Sequence, residues 1–141
     1  MKYSYLFLVF ILFSCKSKKF CLEENSSLTL KDGFYSIIPP AISEGNSFVK
    51  ATLALNNFDK DKISLKGFYF RNHFISYKEV KNPFGIEGSV ILDGKEEKIP
   101  FNLEDFEVVL VYVVKDKDKY VKFSLKRKDN DFNNIPMENK N

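Results

Sequence analysis

One histidine, His73, two cysteines, Cys15 and Cys21, and the lysine-spaced pairs Asp59/Asp61 and Asp116/Asp118 are the residues of this chain best suited to chemistry. A general base needs a nucleophile and an orienting partner within hydrogen-bond reach, and nothing near His73 in sequence supplies them. Arg71, Asn72 and His73 read instead as a polar loop at a strand end, whose side chains are candidate contacts to a partner. Lys18 and Lys19 would favour a thiolate at Cys21, while Glu23 and Glu24 oppose it, so it reads as an unpaired cysteine. Asp59/Asp61 and Asp116/Asp118 space two carboxylates as calcium loops do, but the third ligand, glycine and distal glutamate are missing. Intervening lysines make both pairs solvated turns. One histidine and one free cysteine make no zinc site, and neither a Gly-x-Ser-x-Gly elbow nor a glycine-rich phosphate loop occurs. The expectation is a protein that is not an enzyme, with no catalytic residues, metal or cofactor.

The elements that carry these residues follow a period of two, rich in β-branched and aromatic side chains and bounded by turn residues, which marks strands. They run over Gly33–Ile38, Ser47–Leu55, Ile63–Phe70, Phe74–Val80, Ile86–Leu92, Lys95–Phe101, Phe106–Val114 and Tyr120–Arg127. Between Ser47 and Leu55 the alternation is clean, with Val49, Ala51, Leu53 and Leu55 opposed to Lys50 and Thr52. Asp93-Gly94 is the strongest hairpin signal, because both residues tolerate the positive φ of a tight turn, and Pro100 places the returning strand at an edge. Short strands at regular spacing predict a small all-β antiparallel sandwich of about immunoglobulin size, with a small β-barrel as the alternative.

Glu107 to Val114 is apolar on both faces. If Lys115–Asp118 closes the hairpin, Val114 pairs with Lys119, Leu110 with Phe123 and Val108 with Leu125. The core face then holds Val108, Leu110, Tyr112, Val121, Phe123 and Leu125. Val109, Val111, Val113 and Tyr120 lie on the other face, which is either covered by the chain itself or open to a partner.

The ends of the chain differ from its middle. Lys2 precedes an apolar run from Tyr3 to Phe13, too short for the ~20 residues that span a bilayer. Leu12-Phe13-Ser14-Cys15 closes it as a secretory signal closes, with a small residue before the cut. This arrangement resembles the lipobox of bacterial lipoproteins. The resemblance implies a signal peptide over 1–14, acylation of Cys15, and membrane attachment through that lipid in the cell envelope, facing the periplasm or the exterior. It covers residues 1–15 alone; the globular part resembles no family.

The polar stretch 15–26 is expected as a lipidated tether, 27–127 as one β domain, and 128–141 as a flexible tail. With 22 basic against 19 acidic residues the formal net charge is +3, too weak a field to argue for nucleic acid. Fifteen phenylalanines and seven tyrosines against no tryptophan leave the core to those rings. The functional expectation is a lipid-anchored, non-catalytic binding module whose partner is a protein or an envelope polymer. An inhibitor or immunity lipoprotein against a toxin or hydrolase is the alternative.

Overall fold

The computed structural model describes residues 19–81 and 84–129. The signal stretch 1–14, Cys15 and the tail from 130 onward lie outside the described residues. Nine strands form: β1 (Thr29–Ile38), β2 (Phe48–Asn56), β3 (Ile63–Phe70), β4 (His73–Ile75), β5 (Lys78–Val80), β6 (Gly85–Ile91), β7 (Glu107–Val114), β8 (Lys117–Ser124) and β9 (Lys126–Arg127). They build two sheets, ordered β5-β6-β2-β1-β9 and β4-β3-β7-β8, neither closed on itself. The architecture is an all-β sandwich.

Alternation puts the core where the sequence pattern places it. Val49, Ala51, Leu53 and Leu55 of β2 are buried against Phe68 and Phe70 of β3 and Val108, Leu110 and Tyr112 of β7. Each fully buried Val, Leu or Phe among them stabilises the fold by roughly 1.5–3 kcal/mol. Gly67 sits at a bulge where Leu65 pairs with Tyr112 and Gly67 with Val111. Its φ is +153°, and a Cβ there would lie 2.6 Å from the Ile75 carbonyl oxygen and 2.8 Å from the Phe74 ring. Only glycine lets β4 pass this close.

The β7–β8 hairpin closes two residues tighter than expected. Lys115 and Asp116 both adopt positive φ, 49° and 60°, the requirement of a type I′ turn. Val114 therefore pairs with Lys117, Leu110 with Val121, and Val108 with Phe123. A slip of two residues, unlike a slip of one, keeps every side chain on its face. The core face predicted for this hairpin thus forms with different partners.

Two runs expected as single strands change sheets midway. Phe74–Val80 divides into β4, which pairs with β3, and β5, which pairs with β6 across the sandwich. Tyr120–Arg127 divides at Leu125, after which β9 pairs in parallel with β1. Such crossings make the corners of a sandwich; alternation carries through Leu125, whereas in β5 it lapses, with Lys78 and Glu79 both exposed.

The Asp93-Gly94 hairpin does not form. A turn is present, with the Gly94 amide donating to Ile91 O at 3.2 Å, but Lys95–Phe101 is not a strand. Lys95-Glu96-Glu97-Lys98 has no apolar face to bury, so pairing it along β6 would cover nothing. The segment instead crosses the end of the sandwich, where the Glu97 amide donates to Asn72 O at 2.9 Å. It delivers Phe101 and Leu103 to the outer face of the four-stranded sheet.

Candidate functional site

Arg71 and Asn72 form the two-residue turn between β3 and β4. Phe70 pairs with His73, and both turn residues hold positive φ, 46° and 58°. His73 locks this turn. Its Nδ1 lies 2.7 Å from Arg71 O and its Nε2 2.8 Å from Lys95 O. Both partners are carbonyls, which only accept. A neutral ring can donate to one of them, and a protonated ring to both. The Nδ1 contact lies within the turn, and the Nε2 contact reaches across to Lys95 of the crossing segment.

The Arg71 side chain folds inward from the turn. Its guanidinium lies 5.5 Å from the Tyr35 ring centre and 5.7 Å from that of Phe70. The nearest acid is Asp105, 4.0 Å away, and the side chain is 17% exposed. Its Nε is fully buried and has no hydrogen-bond acceptor among the described residues. A buried donor left without an acceptor costs about 1–3 kcal/mol. Around Arg71, Asn72 and His73 opens a recess of ≈ 290 Å³, walled by Asp93, Gly94, Glu96 and Asp105. The three residues named from sequence therefore line one cavity. The acids opposite them were legible only as separate residues, Asp93 in a turn, Glu96 in the run expected as a strand, and Asp105 before Phe106.

Exposed apolar side chains flank this end of the sandwich. Phe48, at the start of β2, pairs with Ile91 at the end of β6. Both are substantially exposed, as are Ile42 in the β1–β2 loop and Phe106 just before β7. Ile91 itself lines the recess.

The valine face of β7 is not open. Val109 is 0% and Val111 4% exposed, and Tyr120 is buried with them under Leu22, Phe101 and Leu103. Val113, nearer the turn, is half-buried. Two covers produce this closure: the crossing segment described above, and the stretch expected as a free tether. From Phe20 to Ser26 that stretch lies along β8. Leu22 bridges to Tyr120 in parallel, and the Glu23 amide donates to Tyr120 O at 2.8 Å.

Its side chains are pinned as well. The Tyr112 hydroxyl donates to Glu23, Ser26 Oγ lies 2.8 Å from the same hydroxyl, and Lys119 Nζ lies 3.0 Å from Glu23. Burial alone would raise the Glu23 carboxyl, but these partners outweigh it and hold it below its ordinary value. Burial, then the Glu23 contact, pushes the Tyr112 phenol up to about 12.

Five rings gather beside this cover. Phe101 lies 6.0 Å from Phe20, 5.2 Å from Tyr69 and 5.5 Å from Tyr120, and Tyr69 lies 5.0 Å from Phe74. Four of them, Phe20, Tyr69, Phe74 and Tyr120, border a cleft of ≈ 500 Å³ that Lys19, Lys66 and Asp118 also line. Burial, then Asp118, raises the Tyr69 and Tyr120 phenols above their ordinary range. Sequence reading missed this cleft. Its trace is a lone ring in each of two polar stretches, Phe20 and Phe101.

The remaining candidates are local structure. Asp59 accepts from the Asp61 amide at 3.0 Å and meets Lys62 at 3.2 Å. Asp118 pairs with Lys66 at 2.9 Å, and Asp116 completes a turn. Cys21 is exposed and free of disulfide. Among the described residues no group of three His, Cys, Asp or Glu could hold a metal ion. Compared with known proteins, the chain matches no family model, no curated protein and no solved structure.

Proposed function

We propose that this chain is a lipid-anchored protein of the bacterial cell envelope that acts by binding a protein partner at the recess end of its sandwich. The observation that carries the binding reading is the Arg71 guanidinium, which is mostly buried in a recess and holds an Nε without an acceptor. The Nε itself is enclosed, but the 17% of the side chain still exposed at the recess, whose nearest acid, Asp105, stands 4.0 Å from the guanidinium, can meet an acceptor on a partner. The carboxylates of Asp93, Glu96 and Asp105 favour a cationic group beside that acceptor, and Phe48 and Ile91 offer apolar area around it. Interface centres are enriched in arginine and in large apolar side chains, and Arg71 with Phe48 and Ile91 supplies both. The rigid Arg71-Asn72 turn also favours the narrower reading of an inhibitor or immunity lipoprotein, because a preformed contact loses little entropy on binding. Anchoring rests on the lipobox-like Leu12-Phe13-Ser14-Cys15.

Affinity capture from the protein's own envelope, with unfolding measured alongside, tests the binding site. Ile91→Asp and Arg71→Lys are expected to lose the partner while the fold persists. Full capture by both folded variants would refute the placement. Cys15→Ser is expected to abolish lipid labelling and membrane association; a labelled, membrane-bound Cys15→Ser protein would refute the anchor.

A further inference from the structure

The docked N-terminal strap fixes which face of the domain can meet the membrane. This inference rests on the proposed lipid at Cys15. A free tether through residue 26 would let the domain turn in any direction, but the chain is already seated at Phe20, whose ring packs edge-on against Tyr120 at 5.5 Å and Phe101 at 6.0 Å. Lys19 is the first described residue, so four Cα steps separate it from Cys15. Fully extended, four steps span at most ~14 Å. The outer face of the four-stranded sheet must then lie within that reach of the acylated residue.

That face carries side chains suited to a bilayer surface. Phe20 and Phe74 flank the aromatic cleft and are 37% and 41% exposed. Lys19 lies over the Phe20 ring at 5.7 Å, and Lys16 and Lys18 precede it in sequence. Exposed Phe side chains on an interfacial surface bury at the boundary between headgroups and acyl chains, and lysines beside an anchor are drawn to anionic lipid. One acyl signal joined to a basic cluster also holds a membrane far better than the acyl signal alone. We propose that the cleft face of the four-stranded sheet rests against the anionic phospholipid surface that holds the anchor, with Phe20 and Phe74 in contact with headgroups. The β1–β2 loop, carried by the other sheet, then stays in solution.

The chain contains no tryptophan, so single tryptophans report position. The lipidated protein is placed in vesicles of phosphatidylethanolamine and phosphatidylglycerol carrying a nitroxide headgroup lipid, and quenching is read for three variants. Phe74→Trp and Ser64→Trp lie on the proposed face; Ser64 is exposed, pairs with Val113, and guards against misfolding at Phe74. Ile42→Trp is the control on the β1–β2 loop. The first two are expected to lose most of their emission while Ile42→Trp keeps its own, and phosphatidylcholine in place of phosphatidylglycerol should reduce the difference. Equal quenching of all three on acylated, vesicle-bound protein would overturn the face assignment and leave the anchor standing. Absence of acyl label at Cys15 would overturn both. Shielding of Phe74→Trp that rises with protein concentration in detergent would assign the face to a second copy and also overturn the proposal.

Discussion

Val111→Asp tests whether the second apolar layer is part of the fold. Val111 is 4% exposed and packs with Val109 and Tyr120 beneath Leu22, Phe101 and Leu103. Removing a buried valine forfeits roughly 1.5–3 kcal/mol, and a carboxyl left without partners there adds about 1–3 kcal/mol. The expected loss, about 2.5–6 kcal/mol from these two terms, is a large share of the ~5–15 kcal/mol that stabilises an ordinary domain. The penalty must also depend on pH. Burial favours the neutral acid, so the introduced group's folded pKa is raised above its unfolded value near ~3.9. The folded state then binds more protons than the unfolded state, and stability falls as pH rises from about 4 toward neutrality. Ser64→Asp, on the same face but outside the cover, should stay within about ±0.5 kcal/mol at either pH. Urea unfolding of both variants at pH 4 and pH 7 supplies the four values. A Val111→Asp cost equal to that of Ser64→Asp, or one indifferent to pH, would refute the reasoning and leave the valine face open.

Leu110→Ala should cost ~2–5 kcal/mol, because Leu110 is fully buried opposite Val121. Lys122→Ala loses only an exposed pairing with Glu107 and should cost under about 1 kcal/mol; comparable values from urea unfolding would contradict the register. Gly67→Ala should cost more than about 1 kcal/mol, because the new methyl meets the Ile75 carbonyl at a strained φ; a neutral midpoint would show that β4 can move aside. The depressed Glu23 pKa means that its contribution is present above its unfolded value, near 4.5, and is lost as pH falls through the lower folded value. Glu23→Gln should therefore be less stable than the native chain at neutral pH, and the two should converge in acid. An unchanged gap at pH 3 would place the stabilisation elsewhere.

The strands were legible wherever one face of a run is buried. Val49 to Leu55 and Ile63 to Phe70 declare themselves through alternation, and Glu107 to Val114 through apolarity on both sides. Pairing was less legible, because it depends on turn geometry. Lys115-Asp116 and Arg71-Asn72 lack the glycine that advertises a type I′ turn, whereas Asp93-Gly94 advertises a hairpin that its charged return segment cannot sustain. Corners were invisible, since alternation runs on through Leu125 and through Ser76-Tyr77 and lapses only at Lys78-Glu79, after the chain has changed sheets. At the recess, Arg71, Asn72 and His73 could be read as neighbours. Asp93, Glu96 and Asp105 reach them only because segment 92–106 is carried across the sandwich end.

Two of the departures from the expected outline, the docked strap and the crossing segment, follow from β7. A strand with Val109 and Val111 on one side and Val108, Leu110 and Tyr112 on the other needs two covers. The opposite sheet supplies one. The second has to come from segments with few apolar residues of their own, and each contributes what it has: Phe20 and Leu22 from the N-terminal strap, Phe101 and Leu103 from the crossing segment. The crossing that closes the valine face also passes residues 93–96 over the Arg71-Asn72 turn, where the Lys95 carbonyl meets His73. The recess is thus a consequence of how the second layer is closed. Loosening that layer at Val111 should disturb the recess from the far face of the sheet, so partner capture and stability should fall together there, while Ile91→Asp should affect capture alone.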